Sequence, residues 1–259
     1  WKEFKNFEEF ALYKYGRPVA EKFLLNYPEK LWGLPCSRLS TDISGARLKG
    51  LCLTAFIMEL FLMGRTKTKH LDGAFYYPRR GFGQIINRLA DAVGPRNVRT
   101  GSEVTKIFHE NHVITGLEIN GSEMINTPEV ISTIPLTSLL TLLEPDCPDY
   151  ITALAGKLRY RSILLIMLTF DRENITEAGT IYFPEKKYPF TRISEPKNRG
   201  EFMAPPGASS LLVEIPVDCG RLFSVQQKKI LVRDVIDKLT DTGWIEKKNI
   251  INIYLERMD

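Results

Sequence analysis

The sequence is short of the residues that build metal and disulfide chemistry. Its four cysteines, Cys36, Cys52, Cys147 and Cys219, are far apart and form no CxxC pair. That spacing argues against a zinc site and against a disulfide framework, and makes a reducing, cytoplasmic setting the default. The three histidines do no better. His70 is solitary in a basic loop, while His109 and His112 straddle an expected hairpin turn with no acidic or cysteine partner at ligand spacing. Surface histidines are the plainer reading. No G-x-S-x-G occurs, and no Ser/His/Asp or Cys/His arrangement stands out. A net charge of +4 is too mild to imply nucleic acid. No apolar run reaches the roughly 20 residues that span a bilayer. Neither an initiator Met nor a signal-peptide pattern is seen. The chain begins at Trp1 within a helix-like pattern and stops at Asp259 just after a strand-like one, so a piece of something longer is expected.

What is there suits a folded protein with a sizeable core: 259 residues, 44% hydrophobic and 25% charged. Asn6 followed by Glu9 predicts a helix N-cap with its N3 partner, opening a helix with Phe7, Phe10 and Ala11 at helical spacing. Gly16 interrupts, and Pro18 suits the first turn of a second helix. Tyr27 to Arg47 combines Tyr27 and Trp32 with Pro28, Pro35, Lys30, Arg38 and Arg47. By residue type it reads as an irregular connection between helices, anchored by Trp32. Leu51 to Met63, broken only by Thr54 and Glu59, predicts a buried helix or, with the basic Arg65–Lys69 run after it, an interfacial one suited to lipid headgroups.

From Phe75 the periodicity changes. A turn at Arg79–Gly83 leads into a helix carrying Ile85, Ile86, Leu89 and Val93. Strands are expected over Val98–Phe108, Val113–Ile119, Glu123–Ile125 and Glu129–Thr133, with Asn120-Gly121 as a hairpin turn. A helix is expected over Leu136–Leu143. Further strands are expected over Ser162–Phe170, Thr180–Phe183, Phe190–Ile193, Ser210–Ile215 and Ile250–Leu255, with an amphipathic helix over Val225–Leu239. This order predicts an α+β fold, a helical part plus a mixed or antiparallel sheet, rather than regular βαβ units. The expected divisions are 1–75 (helical), 76–145 (a helix and strands) and 146–259 (sheet with one long helix).

Self-sufficient catalytic motifs are scarce. Gly81-Phe82-Gly83 contains GxG without a third Gly, so it fails as a dinucleotide fingerprint and reads as a tight turn into a helix. Arg192, in an otherwise apolar and aromatic strand, either snorkels outward or points into a polar cavity. Paired carboxylates such as Glu201 and Glu214 have no spacing that separates them from surface charge.

Several blocks nevertheless resemble one family. Tyr27-Pro-Glu-Lys30-Leu-Trp32-Gly33, with Pro35-Cys36, Leu39-Ser40 and Arg47-Leu48, is similar to the Tyr-x-x-Lys-x-Trp-Gly region of the FAD-dependent amine oxidase and protoporphyrinogen oxidase superfamily, close to its UDP-galactopyranose mutase-related branch. Tyr77-Pro78-x-x-Gly81-Phe82-Gly83 resembles the stretch returning from the substrate domain to the FAD domain. Val130-Ile-Ser-Thr133-Ile134-Pro135 resembles a strand end beside the cofactor, and Tyr182-Phe-Pro with Pro189-Phe190-x-Arg192 and Glu214 resembles the mutase-related branch. The resemblance implies the substrate-binding domain of an FAD-linked oxidoreductase. Its Gly-rich pyrophosphate loop and C-terminal FAD segment have no counterpart in this stretch, so FAD is expected of the full-length protein and not of this piece alone.

By the same resemblance Val104, Thr133, Ile134 and Pro135 contact the cofactor, and Trp32, Arg47 and Arg192 line the substrate cavity. The mutases' second Arg, shortly after the first, has no clear match here. The implied substrate is a small molecule: an amine, a porphyrinogen-like ring or a nucleotide sugar. The implied activity is hydride transfer from substrate to flavin. The alternatives are a mutase-type isomerase, and a non-catalytic domain whose apolar helix docks a partner or contacts a membrane peripherally.

Overall fold

The computed structural model describes residues 3–44 and 76–259, in two compact units. One is formed by the described residues up to Gln84 together with Arg161–Asp259, the other by Ile85–Tyr160. Arg47, the expected Leu51–Met63 helix and the Arg65–Lys69 run lie outside the described residues.

The first unit opens with helix α1 (Phe7–Tyr15), whose N-cap Asn6 accepts a hydrogen bond from the backbone N–H of Glu9 at 2.9 Å, as the Asn6/Glu9 spacing predicts. The Glu9 carboxylate reaches back to the N–H of Lys5 rather than to the cap residue itself. The short helix α2 (Arg17–Val19) follows, with Pro18 in its first turn, and a π turn (Ala20–Leu25) runs straight into helix α3 (Asn26–Trp32). The irregular connection expected from Tyr27 is therefore helical as far as Trp32. Pro28 is accommodated because it sits in the first turn after the wide π segment, where a missing N–H matters least. Phe7, Ala11, Ala20, Leu25, Cys36 and Leu39 bury one another in a small core, and the N–H of Phe7 donates to the Leu39 carbonyl at 2.9 Å.

Beyond Arg161 this unit holds a five-stranded antiparallel sheet in the order β6-β7-β8-β5-β9, with β5 (Arg161–Phe170), β6 (Thr180–Tyr182), β7 (Arg192–Ser194), β8 (Ser209–Asp218) and β9 (Ile250–Met258). Alternation sends Leu164, Ile166, Leu168 and Phe170 of β5 to one face with Leu211, Val213, Ile215 and Val217 of β8, all buried. Burying each side chain of this size contributes about 2 kcal/mol. Helix α7 (Val225–Asp241) covers that face through Val235 and Leu239 and begins with a capping box between Ser224 and Gln227. The opposite face carries Leu165 and Met167 of β5, Glu214 of β8 and Arg192 of β7.

The second unit is a four-stranded sheet in the order β3-β2-β1-β4, with β1 (Val104–Glu110), β2 (Val113–Ile119), β3 (Glu123–Asn126) and β4 (Leu143–Glu144); only the β1–β4 pairing is parallel. Both hairpins turn through residues at positive φ, Asn111-His112 and Asn120-Gly121, the geometry that two-residue turns demand. Helix α4 (Gly83–Val93), which starts at the boundary of the two units, helices α5 (Leu136–Leu140) and α6 (Asp149–Ala155) and a 3-10 turn (Pro95–Asn97) accompany this sheet in the chain. Two expectations are corrected here. The strand expected from Val98 begins only at Val104, because the chain turns at Thr100-Gly101 with Gly101 at φ 66°. The strand expected over Glu129–Thr133 is not formed: these residues belong to neither sheet among the described residues.

The buried carboxylate Glu195 organises the loop between β5 and β6. It accepts from the backbone N–H of Ile175 (3.0 Å) and of Thr176 (2.7 Å) and from the hydroxyl of Ser209 (2.6 Å). Glu195→Ala leaves two amides and a hydroxyl unpartnered, which should cost about 3 kcal/mol. Urea unfolding followed by tryptophan fluorescence reads this as a lower midpoint; an unchanged midpoint would mean the loop does not depend on the carboxylate.

Candidate functional site

Helix α3 carries the site on one face, because Tyr27, Lys30 and Leu31 recur at three- and four-residue spacing. Each makes a distinct contact with the sheet or with the loop between β6 and β7. The Tyr27 ring meets Tyr182 of β6 edge-on, centroids 5.5 Å apart and planes at 76°. Lys30 places its ammonium among three backbone carbonyls, donating to Phe183 (2.7 Å), Glu185 (3.1 Å) and Phe190 (2.6 Å). Burial lowers the Lys30 pKa from 10.5 to about 8, against the opposing pull of the Glu185 charge.

Gly33 ends the helix in the left-handed region (φ 67°, ψ 21°), its N–H bonded to the Glu29 carbonyl at 2.8 Å. A side chain there would be strained and would also collide with the guanidinium of Arg161, which occupies the place of a Cβ. Arg161 in turn donates to the Leu31 carbonyl at 3.2 Å and pairs with Asp218. The Lys-x-Trp-Gly block is thus a docking motif before it is anything else: its Lys and Gly fix the helix end on the sheet.

Trp32 is the member left over. It is 45% exposed and lines a cleft of about 310 Å³ with Phe23, Tyr27, Leu31, Tyr182 and Pro184. The cleft is apolar and aromatic, suited to a flat ring or a hydrocarbon. Its Tyr182 is the cross-strand partner of Arg192, which is in turn opposite Glu214. Arg192 Nε pairs with the Glu214 carboxylate at 2.6 Å. Burial, the largest influence on this guanidinium, works to lower its pKa. The hydrogen bonds with Glu214 and Tyr182 outweigh it and hold the value above the ordinary one. One row across the open face of the sheet therefore reads Tyr182, Arg192, Glu214, Leu165, Glu256.

The structure places Trp32 and Arg192 in the same unit, joined through Tyr182. Arg47 lies outside the described residues. Val104, Thr133, Ile134 and Pro135 are all in the other unit. Val104 is half-buried at the start of β1, while Thr133–Pro135 are exposed and lead into α5. Nearby Ile131 is 96% exposed in the same run. Exposed backbone and an apolar edge could hold the adenine and ring edge of a flavin dinucleotide. The pyrophosphate is less well served, since no Gly-rich loop of the GxGxxG form occurs in the sequence.

The Glu214 partner of Arg192 and the Arg161 clamp on Gly33 escaped the sequence. The first needed strand register, and the second spans more than a hundred residues. His109 Nε2 lies 3.0 Å from the Pro145 carbonyl, and His112 occupies the β1–β2 turn. Burial pushes the Cys36 thiol up to about 12, too high for a nucleophilic thiolate at neutral pH. Among the described residues no group of three metal-ligating side chains occurs, and no helix is long and apolar enough to cross a membrane.

Comparison with known proteins defines the class. The model of the flavin containing amine oxidoreductases matches residues 14–246, so the chain belongs to that family. Its fold is similar to that of a reduced UDP-galactopyranose mutase (TM-score 0.83, 22% identity, all of this chain and 57% of that one). It is also similar to an oxidoreductase from Methanosarcina mazei (TM-score 0.62, 17% identity, 98% and 56%) and to cyclohexylamine oxidase from Brevibacterium oxydans (TM-score 0.62, 13% identity, 98% and 53%). The chain spans little more than half the length of each. Family and α+β fold are those the resemblance implies.

Lys30→Met removes the partner of three carbonyls and should lower stability at pH 7 by about 2 kcal/mol. Between about 8 and 10.5 the unfolded chain keeps the Lys30 proton that the folded chain has released, so this group raises stability as pH rises through that window. Urea titrations at several pH values should show the advantage of the unaltered protein over Lys30→Met growing from pH 8 to 10. A pH-independent difference would contradict the buried ammonium.

Proposed function

We propose that the chain is the substrate-domain portion of an FAD-dependent oxidoreductase, of the amine oxidase and protoporphyrinogen oxidase kind, in which the flavin, when bound, takes a hydride from the substrate. The observation that carries this reading is the aromatic cleft of Trp32, Tyr27 and Tyr182 beside the Arg192–Glu214 pair, in a chain of this family. Trp32 offers a face on which a flat substrate stacks. Glu214 and Arg192 form a polar boundary at the Tyr182 side: a cationic amine group would be drawn to the carboxylate, an anionic group to the guanidinium, each at the expense of the existing pair. Arg47 is the second cation expected of this cavity. Val104 would meet the adenine through its backbone, and Thr133, Ile134 and Pro135 would border the ring system. The small-molecule substrate, the absence of a nucleic-acid role and any peripheral membrane contact belong to the same proposal.

A second reading, a mutase-type isomerase acting on a nucleotide sugar, is favoured by the fold similarity to a UDP-galactopyranose mutase. There Trp32 would stack on a base or sugar, and Arg192 would turn from Glu214 to a phosphate.

Trp32→Ala in the full-length protein should lower turnover at least tenfold, about 1.4 kcal/mol of transition-state stabilisation, with little loss of bound flavin. Loss of folding instead would return Trp32 to the core. Bleaching of the flavin absorbance by an amine or porphyrinogen supports the oxidase reading; binding of UDP-sugars only after reduction supports the isomerase. A full-length protein that is colourless and gains no flavin on reconstitution would sink both.

A further inference from the structure

Strand β9 is an outer strand of its sheet among the described residues, pairing with β5 alone. It is long, nine residues, and contains no proline. Natural edges are blunted by short strands, prolines or inward charges, because an open row of backbone donors and acceptors recruits other strands. From Asn252 to Leu255 none of these devices is present; the one irregularity of the pairing is a register shift at the strand's start, between Ile250 and Asn252. Inside the sheet, the Asn252 N–H donates to the Thr169 hydroxyl at 3.0 Å, so by alternation the N–H and C=O of Ile253 face outward.

A shallow groove of about 950 Å³ runs along this edge, between β9 and α7. Its floor is apolar: Val232 and Ile236 from the helix, Ile251 and Ile253 from the strand, the last two 55% and 45% exposed. Its helix side is basic. Lys228, Lys229 and Arg233 line it, and no carboxylate lies within ion-pair reach of them among the described residues. The carboxylate of the groove, Asp237, is taken by Lys247 at 2.5 Å.

We propose that this groove is a docking surface for an extended acidic segment of a partner protein, which adds to β9 as a further strand. Backbone pairing along the edge supplies the attachment. Alternate apolar residues of the segment fill the space between Val232 and Ile253, and its carboxylates meet Lys228, Lys229 and Arg233. A second copy of this chain fits less well, because two β9 edges paired about a twofold axis would bring two basic helix faces together. The surface is separate from the Trp32 cleft and does not depend on the flavin reading.

The test uses the full protein and a fluorescent peptide of about eight residues alternating Glu and Val, with its Lys–Val counterpart as control. Anisotropy should show the acidic peptide binding and the basic one failing. The double exchange Lys228→Glu and Lys229→Glu, at exposed positions, should weaken binding about tenfold, since each reversed exposed pair is a modest term. Hydrogen exchange should slow at the outward amide of Ile253 when peptide is present. Four results would overturn the proposal: equal binding of the basic peptide; binding indifferent to the two exchanges; an Ile253 amide already protected in the free protein or protected only by self-association; or protection by phosphatidylserine vesicles and not by peptide.

Discussion

The ammonium of Lys30 among three carbonyls is the contact on which the arrangement of the first unit rests. The end of α3 meets the sheet and the loop between β6 and β7. What joins them is one cation reading backbone oxygens, an edge-on pair of tyrosines and the Arg161 clamp at Gly33. The cation is held at a real electrostatic disadvantage, since burial lowers its pKa, and the carbonyls offset that by replacing the water it lost. Trp32, the next residue but one, owes its place on the cleft to this fixation. A site side chain is kept half-exposed because its neighbours do the anchoring.

The same economy marks the strands next to Tyr182. Arg192 and Glu214 are opposite each other on adjacent strands and neutralise one another. Arg192 is partly exposed and Glu214 largely buried, so the pair adds little stability and serves mainly to orient the two groups. It sets two opposite charges next to Tyr182, one of the aromatic residues of the cleft.

Much of the fold was legible. The β5 run, the α7 amphipathicity and the Asn120-Gly121 turn each carry their own local cause, and the structure follows them. The errors have physical reasons. Tyr27–Trp32 reads as irregular because Pro28 stands between two aromatics, yet it is helical: Pro28 falls in the first turn of α3, and Glu29, Lys30 and Leu31 are good helix formers. Gly101 breaks the strand expected from Val98 with a single positive φ. Within the site, Trp32 and Arg192 could be singled out by composition and resemblance. The Glu214 pairing could not, because register between β7 and β8 is a property of two distant segments. Arg161 left no trace at all: an arginine opening an apolar strand looks like any boundary residue.

The three oxygens that Lys30 binds belong to peptide groups, which every residue type supplies alike. The interface therefore stores its information on one side only. Positions 183, 185 and 190 can exchange side chains, within the limits of packing, and still present the same acceptors, whereas at position 30 the contact needs a long side chain that donates. Correlated change between the two segments would not mark this contact among relatives, however close it is. A constraint that shapes the whole unit would look, in an alignment, like a preference at one isolated position.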